Sequence, residues 1–163
     1  MIDFENKYAP LLEKIDTLGD KNRKIIAIDG GSASGKTTLA SALEKKYDAT
    51  VLHMDDFFLT PDMRTKKRLS EVGGNVSWER FEKEVLIPIS QGKEISYRAF
   101  DCKTGSFKDT IVITPRKLVI VEGAYSMHPR LSGYYDFSVG KADGRTALKW
   151  HHTLNNSKYK TAE

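Results

Sequence analysis

Gly30-Gly31-Ser32-Ala33-Ser34-Gly35-Lys36-Thr37 is the stretch on which the reading of this chain turns. It fits G-x-x-x-x-G-K-[ST] and has the right flanks: the apolar run Ile25-Ile26-Ala27-Ile28 precedes it, and Thr38-Leu39-Ala40-Ser41-Ala42-Leu43 follows. The order is strand, loop, helix. A triphosphate needs several backbone N–H donors converging on it, and glycines let the chain curl tightly and approach closely. A helix beginning near Lys36 adds the positive end of its dipole. The phosphate-binding set is then Gly30, Gly31, Ser32, Ala33, Ser34, Gly35, Lys36, Thr37 and Thr38. Lys36 would reach the β- and γ-phosphates as a point charge, and the Thr37 hydroxyl would ligate the Mg²⁺ that travels with the nucleotide. The plain alternative is a glycine turn between strand and helix with no ligand.

The rest of the composition bounds the answer. A chain of 163 residues, 39% hydrophobic and 29% charged, is about one globular domain. Its formal charge is +4, but residues 140–163 supply +3 of it. The basic balance is therefore a property of the tail and does not argue for a nucleic-acid partner. Cys102 is the single cysteine, so no internal disulfide forms, which suits a reducing cytosol. No stretch approaches the ~18 apolar residues of a membrane span, and the acidic N-terminal letters do not resemble a signal peptide. The expectation is a soluble, cytoplasmic protein that engages neither membrane nor nucleic acid, with homo-oligomerisation left open.

Along the chain, residues 3–18 carry Phe4, Tyr8, Leu11, Leu12, Ile15 and Leu18 at helical spacing, with Asp3 as N-cap and Gly19 past the end; Pro10 inside the run allows a break or a late start near Ala9. Residues 24–29 read as the first buried strand, and residues 50–54 as a second that ends in Asp55-Asp56-Phe57-Phe58. Ligands collect at the carboxyl ends of parallel strands, where a carboxylate can accept the proton of an attacking hydroxyl or help to hold Mg²⁺. Asp55 capping the next turn is the structural alternative. Arg64, Lys66, Lys67 and Arg68 form either a solvated face or a mobile arm that meets the substrate. Ser77 caps a helix with Trp78, Phe81, Val85 and Leu86 inward, which Pro88 ends.

Residues 94–101 and 110–114 alternate as a hairpin, a lip beside the phosphate loop or a solvent-facing ribbon. Residues 117–123 form an apolar run closed by Glu122, as expected of a central parallel strand whose acid can hold Mg²⁺ through water or orient the nucleophile. His128 has no second metal ligand near it in sequence, and residues 134–139 begin another strand. The predicted fold is α/β, a three-layer α/β/α P-loop NTPase-type domain with a parallel central sheet that is incomplete at its C-terminal side. The predicted divisions are an N-terminal helix and lead-in (1–22), the core (23–139) and a polar tail (140–163) outside the native fold.

These features resemble the uridine kinase and phosphoribulokinase family of ATP-dependent small-molecule kinases. The resemblance rests on the glycine loop, on Met54-Asp55-Asp56-Phe57-Phe58, on residues 75–81 and 97–101, and on Val121-Glu122-Gly123-Ala124-Tyr125-Ser126. It implies that Asp55 is the base facing a substrate hydroxyl and that Lys36 and Thr37 serve ATP and Mg²⁺. It places Glu122 in the outer shell of the metal, and Phe58, Arg98, Phe100 and Asp101 along the acceptor pocket. The acceptor it implies is a nucleoside-like small molecule; a pantothenate- or ribosyl-type alcohol is the neighbouring alternative. Uridine kinases tend to carry a His after a Tyr-Asp pair, whereas Phe100-Asp101 here leads to Lys103-Thr104-Gly105.

After Val139 the family would continue into a helix and an arginine-bearing lid. The letters here give no sustained apolar period, and no strand is predicted. Arg145 is a poor substitute for a lid arginine, and His151 and His152 read as solvated rather than metal-bound. A nucleotide-binding fragment with weak turnover is therefore a second reading, since a transition-state arginine in this class is worth ~10³ to 10⁵ in rate. A nucleotide-hydrolysing switch is a third, disfavoured by the lack of a guanine-reading N-K-x-D sequence.

Overall fold

The computed structural model describes residues 3–19, 23–30, 35–141 and 148–151. Two short helices come first, α1 (Phe4–Lys7) and α2 (Ala9–Thr17), followed by β1 (Lys24–Asp29), α3 (Lys36–Tyr47) and β2 (Thr50–His53). Next are α4 (Lys66–Ser70), α5 (Trp78–Phe81), α6 (Ile87–Ser90) and a hairpin of β3 (Ile95–Asp101) and β4 (Ser106–Ile113). The chain closes with β5 (Leu118–Glu122), β6 (Phe137–Lys141) and β7 (Leu148–His151). The main sheet has the order β2-β5-β1-β6-β7, and β3 with β4 forms a separate ribbon.

β1 lies at the centre, parallel to β5 on one edge and to β6 on the other. Its four apolar residues are all buried, and the two-residue period of a strand divides them between two cores. Ile25 and Ala27, with Val119 and Val121 of β5, join Leu52, Phe57, Phe81, Val85 and Leu86 on one face. Ile26 and Ile28, with Leu118 and Ile120, join Leu11, Leu12, Ile15, Leu39 and Leu43 on the other. Helices α2 and α3 therefore cover one face, and the segment from α5 to α6 covers the other, as the three-layer α/β/α prediction requires. At the base of the sheet the Asp136 carboxylate accepts the Ile25 N–H at 2.8 Å, and the Asp136 N–H donates back to the Ile25 carbonyl at 2.7 Å. No helix among the described residues is long and apolar enough to cross a membrane.

Several local expectations need correction. The N-terminal helix does break, at Tyr8, with Pro10 in the first turn of α2 where its missing N–H costs nothing. Asp3 occupies the N-cap position of α1 without a side-chain cap, and the Ser77 hydroxyl likewise fails to cap α5 and has no hydrogen-bond partner among the described residues. Pro88 does not end its helix. Residues Glu82–Leu86 widen into a π turn, in which the Ile87 N–H reaches the Glu82 carbonyl five residues back. That widening takes the helix past a proline that lacks an N–H and would crowd an α-helical turn, and α6 runs on to Ser90.

β4 starts at Ser106, four residues before its predicted partner, because Ser106 and Phe107 already pair with Asp101 and Phe100 and the Phe107 ring packs against that of Phe100. β6 starts at Phe137, because Ser132–Tyr134 form a 3-10 turn and the Tyr135 hydroxyl is buried against the Ser126 carbonyl at 2.6 Å. The expectation of no strand after Val139 is also overturned. β7 lies antiparallel to β6, pairing Ser138 with His151 and Val139 with Trp150. A four-residue strand held by main-chain pairing needs no long apolar period to announce it. Arg145 and His152 lie outside the described residues.

Gly123, directly after β5, is where the backbone tolerates least. It sits at φ +139°, and an added Cβ would stand 2.8 Å from Met54 Cβ and 3.3 Å from the Met54 nitrogen. Gly123→Ala should therefore lower stability by about 2–4 kcal/mol. A fall in the urea midpoint at unchanged m-value would record it.

Candidate functional site

β1, β5 and β2 run parallel, so their carboxyl ends share one edge of the sheet, and the register places Ile28, Glu122 and His53 side by side across it. The glycine loop leaves from this edge. Residues 31–34, and with them Gly31, Ser32, Ala33 and Ser34, lie outside the described residues. Where the chain resumes, Gly35 is left-handed at φ 86° and stands at the N-cap of α3 with no side-chain cap. A glycine offers no side chain to the N–H groups that open a helix, so Gly35 itself caps none of them, and the start of a helix is a place where an anion can be received. Thr37 and Thr38 are exposed and Lys36 is half-buried.

Glu122 is a carboxylate buried to 3% exposure at the mouth of this loop. Its Oε1 lies 2.5 Å from His53 Nδ1, and its Oε2 accepts the Thr37 hydroxyl at 3.3 Å. The second distance is long for a hydroxyl donor, so the Thr37 oxygen is only loosely engaged. The bond to Glu122 raises the His53 pKa against the opposing effect of burial, and the charges of Asp56 and Asp55 add to the rise. A buried acid beside a loosely held threonine hydroxyl, at the uncapped start of a helix, fits Mg²⁺ with a polyphosphate.

Asp29 closes the other side of the loop. Its carboxylate accepts the N–H groups of Gly30 at 2.7 Å, Tyr125 at 3.2 Å and Met127 at 3.0 Å. Burial pushes its pKa up, while these bonds and the Lys36 charge pull it down. One side chain thus ties the first residue of the glycine loop to the turn after β5. Tyr125 in that turn has φ +64°, a left-handed conformation that costs a residue with a Cβ about 1 kcal/mol or more.

The acid pair follows β2 in a 3-10 turn, Met54–Phe57. Asp55 is exposed, whereas Asp56 is half-buried and accepts the Tyr97 hydroxyl at 3.3 Å. Burial and the Asp56 charge push the Tyr97 pKa up, so the phenol remains a donor. Through Tyr97, and through its ring 5.0 Å from that of Phe57, the β3–β4 hairpin is anchored beside the acids.

The predicted acceptor-side residues divide. Phe58 is half-buried and bridges to Val76. Arg98 folds across the hairpin, its Nε donating to the Lys108 carbonyl at 2.7 Å and its guanidinium 5.6 Å from the Phe107 ring. Phe100 is buried against Phe107, and Asp101 accepts the Lys103 N–H at 2.8 Å, a bond that lowers its pKa. The polar groups of Arg98 and Asp101 thus hold the hairpin's own shape. Arg80, absent from the sequence reading, braces the hairpin from α5: it pairs with Glu84, donates to the Arg98 carbonyl at 2.9 Å and lies 5.1 Å from both Phe57 and Phe107.

The basic cluster divides as well. Arg64, Lys66 and Lys67 are exposed, but Arg68 pairs with Glu79, donates to the Val76 carbonyl at 2.9 Å and faces the Trp78 ring. Trp78 stacks on His128 at 5.3 Å, with Arg130 at 5.1 Å from the indole. His128 Nδ1 accepts the Arg130 N–H at 3.1 Å, which fixes the proton on Nε2, 3.1 Å from the Val72 carbonyl it donates to. The segment after the acids is thereby docked on the turn after β5. Sequence reasoning missed His53 and Asp29; the only signal was that each lies at or near the carboxyl end of a strand.

A family model, the Phosphoribulokinase / Uridine kinase family, matches residues 25–158. The uridine kinases of two Staphylococcus epidermidis strains are each 28% identical over 111 residues, covering 63% of this chain and 53% of theirs. The chain thus spans about half the length of the curated relatives it matches. Among solved structures, a possible uridine kinase from Bacillus stearothermophilus superposes with TM-score 0.72 at 20% identity, over 85% of this chain and 81% of that one. A candidate fructose transport system kinase from Silicibacter sp. gives 0.65 at 20%, over 82% and 73%. At that identity the structural likeness speaks for the fold.

His128 yields a pH prediction. Burial lowers its pKa, and the neighbouring Arg68 and Arg130 charges add to the fall. A depressed histidine contributes stability above its unfolded value of ~6.5 and loses it as pH falls through the folded value. Between about pH 7.5 and about pH 5.5 the wild type should lose more of its urea midpoint than His128→Phe, which keeps the ring stack but cannot charge. His53, shifted the opposite way, is common to both proteins and cancels.

Proposed function

The chain belongs to the Phosphoribulokinase / Uridine kinase family, and from that premise we propose that it transfers the γ-phosphoryl group of ATP to a hydroxyl of a small, nucleoside-like metabolite. The observation that carries this reading is the convergence, at one sheet edge, of the uncapped start of α3, the Glu122–Thr37 contact and the exposed Asp55.

In this reading the loop and the first N–H groups of α3 hold the β- and γ-phosphates, with Lys36 adding a mobile positive charge. Thr37 and Glu122 would hold Mg²⁺, which when bound neutralises charge on the phosphoryl oxygens. Asp55 accepts the proton of the acceptor hydroxyl as that oxygen bonds to phosphorus and the bond to ADP breaks. Asp56, committed to Tyr97, is less suited to that work. Phe58 and the β3–β4 hairpin, with Arg98, Phe100 and Asp101 maintaining its shape, form the acceptor side. The nucleoside class is supported by the named relatives, and the sequence around Phe100-Asp101 leaves another small alcohol as the competing acceptor.

Measuring ADP release against a panel of nucleosides and other small alcohols tests the proposal. Acceptor-dependent release is expected; release indifferent to acceptor would instead indicate hydrolysis. Asp55→Asn should leave ATP affinity nearly unchanged and slow transfer by ~10² or more. Lys36→Ala should weaken ATP binding by about tenfold to a hundredfold, the worth of a charge-assisted contact, as read by calorimetry.

A further inference from the structure

We infer that His53 is a positioning residue: it holds the Glu122 carboxylate in the orientation that presents Oε2 to Thr37, and so prepares the metal side of the nucleotide site. The inference rests on the kinase reading above and adds to it a residue outside the glycine loop and the acid pair.

Three observations carry it. Glu122 is 3% exposed, so water does little to satisfy or orient its oxygens. A buried carboxylate needs donors, and the two described here come from different elements: His53 at the end of β2 and Thr37 in the first turn of α3. The two contacts are unequal: the imidazole lies within normal hydrogen-bond reach of Oε1, whereas the hydroxyl contact is long at 3.3 Å, so the imidazole is the closer anchor of the carboxylate.

The chemistry of the pair sets the direction of the bond. An ionised carboxylate only accepts, so Nδ1 carries the proton that joins them. The backbone supports the geometry, because β2 and β5 are paired in parallel with His53 opposite Glu122. The 3-10 turn that carries Asp55 begins at the next residue, Met54, whose Cβ packs against Gly123 directly after Glu122. His53 is therefore placed to fix the Glu122 carboxylate from the β2 side.

Losing such an outer partner commonly weakens metal binding about tenfold or more. The experiment is calorimetry of ATP binding with and without Mg²⁺, with thermal melts, on the wild type, His53→Ala and His53→Asn. Asn places an amide N–H near the Nδ1 position. The expected result is that His53→Ala loses about tenfold in affinity for ATP with Mg²⁺ and changes by less than about twofold without it, while His53→Asn recovers most of the loss. Equal affinities with Mg²⁺ in wild type and His53→Ala overturn the inference alone. Loss of affinity with and without Mg²⁺ alike, or loss not recovered by Asn, assigns His53 a merely structural role and also overturns it. If folded wild type takes up no ATP with Mg²⁺, the kinase reading falls and takes this inference with it. Should His53→Ala be too unstable to titrate, His53→Gln against His53→Asn carries the test, since Gln carries its donor one bond farther out; equal affinities with Mg²⁺ for these two overturn the inference.

Discussion

The structure depends on β1 being enclosed on all four sides. Its edges are paired with β5 and β6, and its side chains are shared between two cores, so neither sliding nor rotation is open to it. A one-residue slip would exchange the two sets, putting Ile26 and Ile28 where Ile25 and Ala27 pack and the reverse, so that neither core would fit its side chains. The carboxyl end of β1 is therefore a fixed point, and β5 is registered to it with Glu122 opposite Ile28. Everything that gathers at this edge inherits that rigidity: Asp29 reaching three backbone amides, Glu122 between two strands and a helix, and the turn that brings Asp55 forward. In the proposed function this matters, because a loop that is to receive a polyphosphate gains affinity and orientation when its surroundings do not need to be ordered at the moment of binding.

Much of this was legible in the letters, where local patterns have one physical cause. The run of residues 25–28 before the glycines, and the run closed by Glu122, read as buried parallel strands. The spacing of Leu39 and Leu43 fixed the inner face of α3. What escaped prediction depends on contacts between elements far apart in sequence. His53 reads as one polar residue near a strand end until the sheet sets it beside Glu122. Arg68 reads as one of four exposed cations until Glu79 and the Val76 carbonyl claim it. Pro88 reads as a stop until the π turn makes room for it. β7 is so short that its pairing with β6, and not its composition, defines it.

The hairpin and the docked segment around Trp78 show how the open side of the sheet is built up. Neither is part of the main sheet; each packs into the apolar core on that face and is further fixed by a specific polar contact, Tyr97 to Asp56 in one case and His128 to the Val72 carbonyl in the other. The arginines serve mainly as braces here: Arg80 and Arg68 both combine an ion pair, a backbone carbonyl and an aromatic face. A guanidinium suits that role because its planar fork can donate in several directions while its face lies on a ring.

The two adjacent aspartates carry a consequence for how such a chain can change over generations. Asp56 shares its fate with Tyr97: a substitution at one leaves the other's polar group stranded, so drift at these two positions should be correlated, with Phe tolerated where the acid has gone. Among the described residues Asp55 has no hydrogen bond of that kind to a ring or a strand. Its persistence in a lineage would report selection on chemistry more directly than that of Asp56.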